Sequence, residues 1–206
     1  MLIKHLRIQN FRGIRELDWR VDGRLVCLVG PGDSTKTTIL HAIEYALSPR
    51  YTLPINDTDF YQPDTSQAIQ VDVTVAEFPG EFLKDDKFGL YMRGWRDGDG
   101  IVDEPDDDCE HVLTIRFSVP TSLEPAWEIF TDRHNPLPTI SWRDRTKLGA
   151  GLLGTDVERN LSWARGSALT RLTGNDDETY LILAQAHRAA KNAVDKAEHP
   201  ISLKEA

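Results

Sequence analysis

Apolar residues recur along this chain in two periods. Near the N-terminus they alternate with polar ones: Ile3, Leu6 and Ile8, then Leu17, Trp19 and Val21, followed by the continuous run Leu25 to Val29. Alternation sends successive side chains to opposite faces of an extended backbone. The pattern therefore predicts a strand ending in a turn at Gly13, a second strand, a hairpin turn at Asp22-Gly23, and a buried third strand. The period then changes. Ile39, Leu40, Ile43, Tyr45, Ala46 and Leu47 cover one broad helix face, which Ser48-Pro49 brings to an end.

Beyond that helix, Pro54 to Ser66 is rich in Pro, Asn, Asp, Thr and Ser and reads as a surface loop, with Asp59-Phe60-Tyr61 as its sticky part. Ile69, Val71, Val73 and Val75 alternate strictly and predict a half-buried strand. Phe78 to Leu83 suggests a helical turn. Arg93 to Glu110 is an acidic, glycine-rich excursion that reads as a solvated hairpin tip, because Asp106-Asp107-Asp108 lacks the spaced ligands of a calcium loop. Val112 to Val119 and Trp127 to Thr131 give two more strands, so an antiparallel meander over 68–133 follows the first helix. Pro136 to Gly154 has no legible pattern. Ser167 is placed to cap a short helix ending near Gly174, and Tyr180 to Val194 carries helical spacing until Pro200.

The chemistry is concentrated where the first period gives way to the second, in LVCLVGPGDSTKTT. Gly30, four further residues, Thr35, Lys36 and Thr37 have the spacing of a phosphate-binding loop between a strand and a helix. Successive backbone N–H groups in such a turn converge on one concavity, and the helix N-terminus adds partial positive charge at the same place. Lys36 would reach the outer phosphates of a polyphosphate, and the Thr37 hydroxyl would help to hold Mg²⁺, a cation that keeps several waters. Thr38 would support the turn. Two positions depart from the usual loop: Asp33 brings negative charge near phosphate, and Thr35 puts a Cβ where glycine allows close approach. The bland alternative is an ordinary strand-to-helix turn.

Composition narrows the field. A chain of 206 residues can bury a substantial core. No stretch approaches the roughly 20 apolar residues of a membrane span. Cys27 and Cys109 make neither a disulfide framework nor a zinc site, which fits a reducing, cytoplasmic setting. The formal charge of -9 makes the chain a poor non-specific ligand for nucleic acid, so any contact with DNA is expected through a larger assembly.

IKHLRIQNFRGI, a short hairpin and then LVGPGDSTKTTILHAIEYAL resemble the opening of an ABC-type ATPase head of the RecF and SMC branch, and in particular the OLD family of ATP-dependent nucleases. The acidic meander and ERNLSWARGSALTRLT are also similar to that group. The resemblance implies an α/β fold: a P-loop ABC-type ATPase N-terminal lobe with an inserted antiparallel β-meander and a long C-terminal helix. It divides 1–206 into strands, phosphate loop and first helix (1–50), meander (68–133) and helical region (155–199). It implies ATP and Mg²⁺ as ligands, with Gly30, Pro31, Gly32, Asp33, Ser34, Thr35, Lys36, Thr37 and Thr38 around the nucleotide and Arg12 and Gly13 beside it.

Hydrolysis in that class also needs an aliphatic strand ending in Asp-Glu, a signature helix from a second head and a switch histidine. None is found here, nor is the nuclease domain, and neither Gln62, Gln67 nor Gln70 can be assigned to the metal-contacting glutamine. The expectation is a lobe that binds ATP, turns it over poorly, and works in DNA repair or phage defence as a homodimer or with the missing half of the head. Two other readings stay open: a non-catalytic interaction module with a degenerate loop, and a small P-loop kinase or GTPase, although no Asn-Lys-x-Asp sequence for reading guanine is present.

Overall fold

The computed structural model describes residues 1–32, 34–50, 52–148 and 150–152, together with 182, 185, 186, 188 and 189. The chain divides into two units, Met1–Leu152 and Leu153–Ala206. Of the second, Ile182, Gln185, Ala186, Arg188 and Ala189 are helical and exposed. The Ser167 cap and the rest of the 155–199 helical region lie outside the described residues.

In the first unit β1 (Leu2–Phe11) and β2 (Ile14–Arg20) form a hairpin turning at Arg12-Gly13. Helix α1 (Lys36–Leu47) follows the loop, and then β3 (Ile69–Ala76), β4 (Arg93–Arg96), β5 (Gly100–Val102), β6 (Glu110–Val119), β7 (Ala126–Phe130) and α2 (Trp142–Lys147). All pairings are antiparallel, in the order β2-β1-β3-β6-β4-β5, with β7 also on β6. The architecture is mixed α/β with an antiparallel sheet, and the strands expected from 68–133 continue the N-terminal hairpin rather than stand apart from it.

Register explains the core. Ile8, Val71 and Phe117 are aligned across three strands, as are Leu6, Val73, Ile115 and Ile129 across four, and all are fully buried. Against this face α1 lays Ala42, Ala46 and Leu47. Two alanines let the helix backbone approach closely, and burying such a face supplies most of a helix's stability in a protein. The opposite face carries the residues in between. Asp72 takes both Nε and Nη2 of Arg116 at 2.7 Å, and the Arg116 guanidinium lies 3.4 Å from the centroid of the Phe130 ring. The acidic excursion is a hairpin, β4–β5, whose tip is tied back by Arg20 to the carbonyls of Gly98 and Asp99.

The third N-terminal strand is not formed. Leu25 to Gly30 lies outside every ladder, and Leu25 and Val29 are 94% and 87% exposed. Both edges of β1 are already taken, by β2 and β3. Val21 N still donates to Lys4 O, but the chain turns at Gly23 (φ +85°) and Arg24 pairs with Glu77, beyond the end of β3. The segment is thus carried across the end of β1 instead of back along the free edge of β2.

Helix α2 fell in the stretch without a legible pattern. Ser141 caps it by accepting from Asp144 N at 3.1 Å. Its purpose is visible in Arg145, which is 3% exposed and donates to the carbonyls of Ser48 (2.6 Å), Arg50 (2.9 Å) and Ile140 (2.9 Å) while stacking on Trp127. It occupies the C-terminal end of α1, where free carbonyls and the helix dipole favour a cation. Burial pushes its pKa down to about 10, which leaves it charged at neutral pH. Arg145→Leu strips the partners from three carbonyls, and urea denaturation should show a loss of about 3 kcal/mol.

Candidate functional site

The loop from Gly30 to Lys36 is closed by the lysine itself. Lys36 Nζ donates to the carbonyls of Gly30 (2.8 Å) and Pro31 (2.5 Å) and to Ser34 Oγ (2.7 Å), which uses all three ammonium protons. A Cβ added at Gly30 would lie 3.0 Å from Ser34 Oγ and 3.8 Å from Lys36 Nζ, so a larger residue there would press on the serine that completes the ring. Gly30, Pro31 and Gly32 are exposed, and Asp33 lies outside the described residues.

Helix α1 begins without a cap. Thr35 is its N-cap, with φ +61° and ψ +4°, but the Thr35 hydroxyl turns to Ser34 O at 2.6 Å instead of to the helix. The first intrahelical bond is Ile39 N to Thr35 O at 3.0 Å. The amides of Lys36, Thr37 and Thr38 therefore have no acceptor among the described residues, and the first turn holds no acidic residue. An N-terminus whose first amides have no acceptor among the described residues has the polarity that suits an anion. The exposed Thr37 stands in that turn. Among the described residues no group of three or more His, Cys, Asp or Glu could hold a metal ion. A Mg²⁺ here would take one hydroxyl from Thr37 and most of its ligands from phosphate and water, as that ion commonly does.

The N-terminal hairpin meets the loop at one point. A Cβ at Gly13 would sit 3.0 Å from Thr35 Cγ2. Thr35 thus occupies the position where the usual loop has glycine, in the left-handed conformation that glycine adopts freely and a β-branched residue adopts at a cost of about 1–2 kcal/mol. Its methyl in turn crowds any Cβ at position 13. Arg12 lies next to this contact, yet its guanidinium bonds no loop residue among those described: Nε donates to Asp59 Oδ1 at 2.8 Å and Nη2 to the Tyr45 hydroxyl at 3.1 Å. Neither partner was legible as functional in the sequence. Asp59 stood only in a sticky part of a loop, and Tyr45 counted as one more apolar residue of the helix.

Beside the loop, a groove of about 290 Å³ runs between the unpaired segment and α1, lined by Leu2, Trp19, Val26, Leu28, Ile39 and Ile43 among others.

No family model matches this chain. It is 35% identical over 78 residues to the OLD nuclease of Thermus scotoductus, a match that takes in 35% of this chain and 14% of the relative. The chain thus matches only a small part of that protein's length. A solved structure from work on ATP-driven dimerization and DNA-stimulated activation of SMC ATPases superposes with a TM-score of 0.46 at 12% identity, covering 90% of this chain and 98% of that one. The sequence identity supports a relationship to OLD-like proteins. No helix among the described residues is long and apolar enough to cross a membrane.

The contact between residues 13 and 35 has a measurable signature. Gly13→Ala should lower the melting temperature by several degrees, Thr35→Gly should raise it, and Gly13→Ala added to Thr35→Gly should cost almost nothing, because the methyl it strikes is gone.

Proposed function

We infer that this chain is the ATP-binding N-terminal lobe of an OLD-like, ABC-type ATPase. The observation that carries the reading is the start of α1, where the amides of Lys36, Thr37 and Thr38 have no acceptor among the described residues, set directly behind a glycine loop that the lysine ammonium closes. On ATP the loop amides and the helix dipole hold the outer phosphates. Lys36 exchanges its bond to Ser34 Oγ for a phosphate oxygen while keeping its two carbonyl bonds. Thr37 gives one oxygen to Mg²⁺. The OLD nuclease similarity supports this reading, and it makes an ATP-dependent endonuclease of DNA repair or phage defence the proposed setting. Arg12 and Gly13 are assigned beside the nucleotide.

The proposed partners are a second copy or the remaining half of an ATPase head, with DNA reached only through that assembly. Support comes from Leu25 to Val29, an apolar extended run whose backbone is bonded to nothing among the described residues. An exposed apolar segment with unpaired backbone can pair with a strand. Leu25→Lys and Val29→Lys should each change the stability of the isolated chain by less than about 0.5 kcal/mol. Both should reduce its self-association in sedimentation.

A second reading is favoured by one observation: every proton of the Lys36 ammonium is already engaged, and Thr35 holds a strained backbone. On that reading the chain is an interaction module whose loop no longer binds nucleotide usefully. Fluorescent ATP with Mg²⁺ separates the two. Under the ATP reading the chain binds ATP, in the micromolar range, and Lys36→Ala weakens binding at least about tenfold. Under the second, the wild type does not bind, and glycine at both 33 and 35 creates binding.

A further inference from the structure

The turn between β1 and β2 is held more firmly than a hairpin requires. Asn10 (φ +54°) and Arg12 (φ +48°) both adopt left-handed backbone on either side of the fully buried Phe11. Non-glycine residues keep such conformations only where their surroundings fix them. The surroundings here are the 56–67 loop. Asn10 Nδ2 donates to the carbonyls of Asp64 and Gln67, and Asn10 Oδ1 accepts from Tyr61 N at 3.2 Å. Phe60 bridges to Phe11.

Asp59 makes the remaining ties. Its carbonyl accepts from Arg12 N at 2.7 Å, Oδ1 accepts from Arg12 Nε at 2.8 Å, and Oδ2 accepts from Asn56 N at 3.1 Å. Asn56 in turn caps the short helical turn Asp57–Asp59, so the carboxylate is anchored as well as buried, at 5% exposure. Tyr45 adds a bond to Nη2, and the guanidinium lies over the Phe11 and Tyr45 rings at 5.0 and 5.5 Å. A planar guanidinium fixed through Nε and Nη2 has no rotational freedom left. Its third nitrogen, Nη1, has no acceptor among the described residues, and the side chain is 31% exposed.

We propose that Asp59 is a positioning residue: it clamps Arg12 so that Nη1 is presented, pre-oriented, to the phosphates of ATP bound in the neighbouring loop. The proposal rests on the ATP reading above. The link to the loop is Gly13, next to Arg12 in sequence and in contact range of Thr35. Because the clamp is a carboxylate, it also offsets part of the charge of Arg12, and the two effects predict opposite outcomes when it is removed. Loss of orientation weakens phosphate binding, whereas release of charge strengthens it.

The test is a double-mutant cycle in ATP affinity with Mg²⁺, using the whole chain: wild type, Asp59→Asn, Arg12→Ala and the double variant. Asp59→Asn should weaken ATP about tenfold in the wild-type background and less than about twofold when Arg12 is already alanine. Equal losses in both backgrounds would show that Asp59 acts through the stability of the 56–67 loop, and unchanged or tighter binding would show that orientation is irrelevant; either overturns the proposal. If Asp59→Asn does not fold, Tyr45→Phe removes the second tie with little change of shape, and should weaken ATP about threefold only while Arg12 is present; a loss independent of Arg12, or none, overturns the proposal in the same way. Binding that needs Lys36 but is indifferent to Arg12→Ala overturns the clamp alone. A wild type that binds no ATP overturns the ATP reading and the clamp with it.

Discussion

The packing of α1 against one face of the sheet is the constraint from which the rest of the described fold follows. Ala42, Ala46 and Leu47 are pressed onto rows of aliphatic side chains that three to four strands align. Once that face is committed, the rotation and axial position of the helix are fixed, and so is the direction in which its first turn points. Lys36 is the first residue of that turn, so the loop before it takes its placement from core packing two to three turns away. The far end is fixed too: Arg145 takes up the carbonyls that follow the helix, and Trp127 Nε1 bonds Tyr45 O at 3.0 Å. A helix tied at its C-terminus and along one face can leave its N-terminus uncapped. A first turn whose amides find no acceptor among the described residues would be a poor start for a helix that depended on its own caps.

The consequence for the loop is a division of labour between geometry and chemistry. Core packing supplies the geometry without help from residues 30–35, so substitutions in the loop need not unfold the protein. That is how Thr35 can stand in left-handed backbone: the cost is about 1–2 kcal/mol, a small fraction of what the aligned aliphatic rows contribute. The chemistry is less forgiving. Lys36 closes the ring through two carbonyls and a hydroxyl, so its affinity for phosphate is measured against bonds it already has. Two of those can persist with a ligand present, because the carbonyls lie at the start of the loop and not at its mouth. The bond to Ser34 is the one that competes, and a neutral hydroxyl is a weaker acceptor for an ammonium than a phosphate oxygen.

Much of this could be read from residues alone. Period-two and period-3.6 patterns found β1, β2, α1, β3, β6 and β7, because the alternation survives in the letters, although β3, expected to be half-buried, is buried on both faces, with Asp72 and Thr74 shielded opposite Val71 and Val73. The spacing from Gly30 to Lys36 marked the loop, for the reason that few other structures demand small residues followed by lysine at a helix start. Three things were illegible. Leu25 to Val29 has the composition of a buried strand, and composition does not say where the chain goes after the turn at Gly23; the tie of Arg24 to Glu77 leads it away from the free edge of β2. Arg145 sits in a stretch without periodicity, and its role depends on carbonyls 95 to 97 positions earlier in the chain. Asp59 was invisible for the same reason, being 47 positions from the arginine it holds.

The unpaired run and the clamped turn both adjoin the loop, the one leading into Gly30 and the other meeting Thr35 at Gly13, and their contrast says what kind of object this lobe is. On the Arg12 side, two left-handed residues, a buried carboxylate and two aromatic rings hold the turn, and Arg12 Nη1 has no acceptor among the described residues. On the Leu25 side, an extended apolar segment enters the loop with its backbone bonded to nothing among the described residues, above a groove lined by Trp19, Val26 and Ile43. A rigid flank fits a surface that must present a donor at a fixed point. A bare flank of aliphatic residues fits a surface that gains its order from another strand, since burying Leu25 and Val29 would each contribute about 1.5–3 kcal/mol. Such an association would stiffen the strand that leads directly into Gly30. Nucleotide affinity and strand pairing would then be coupled through the loop they share, each raising the other by the same factor, as linkage requires.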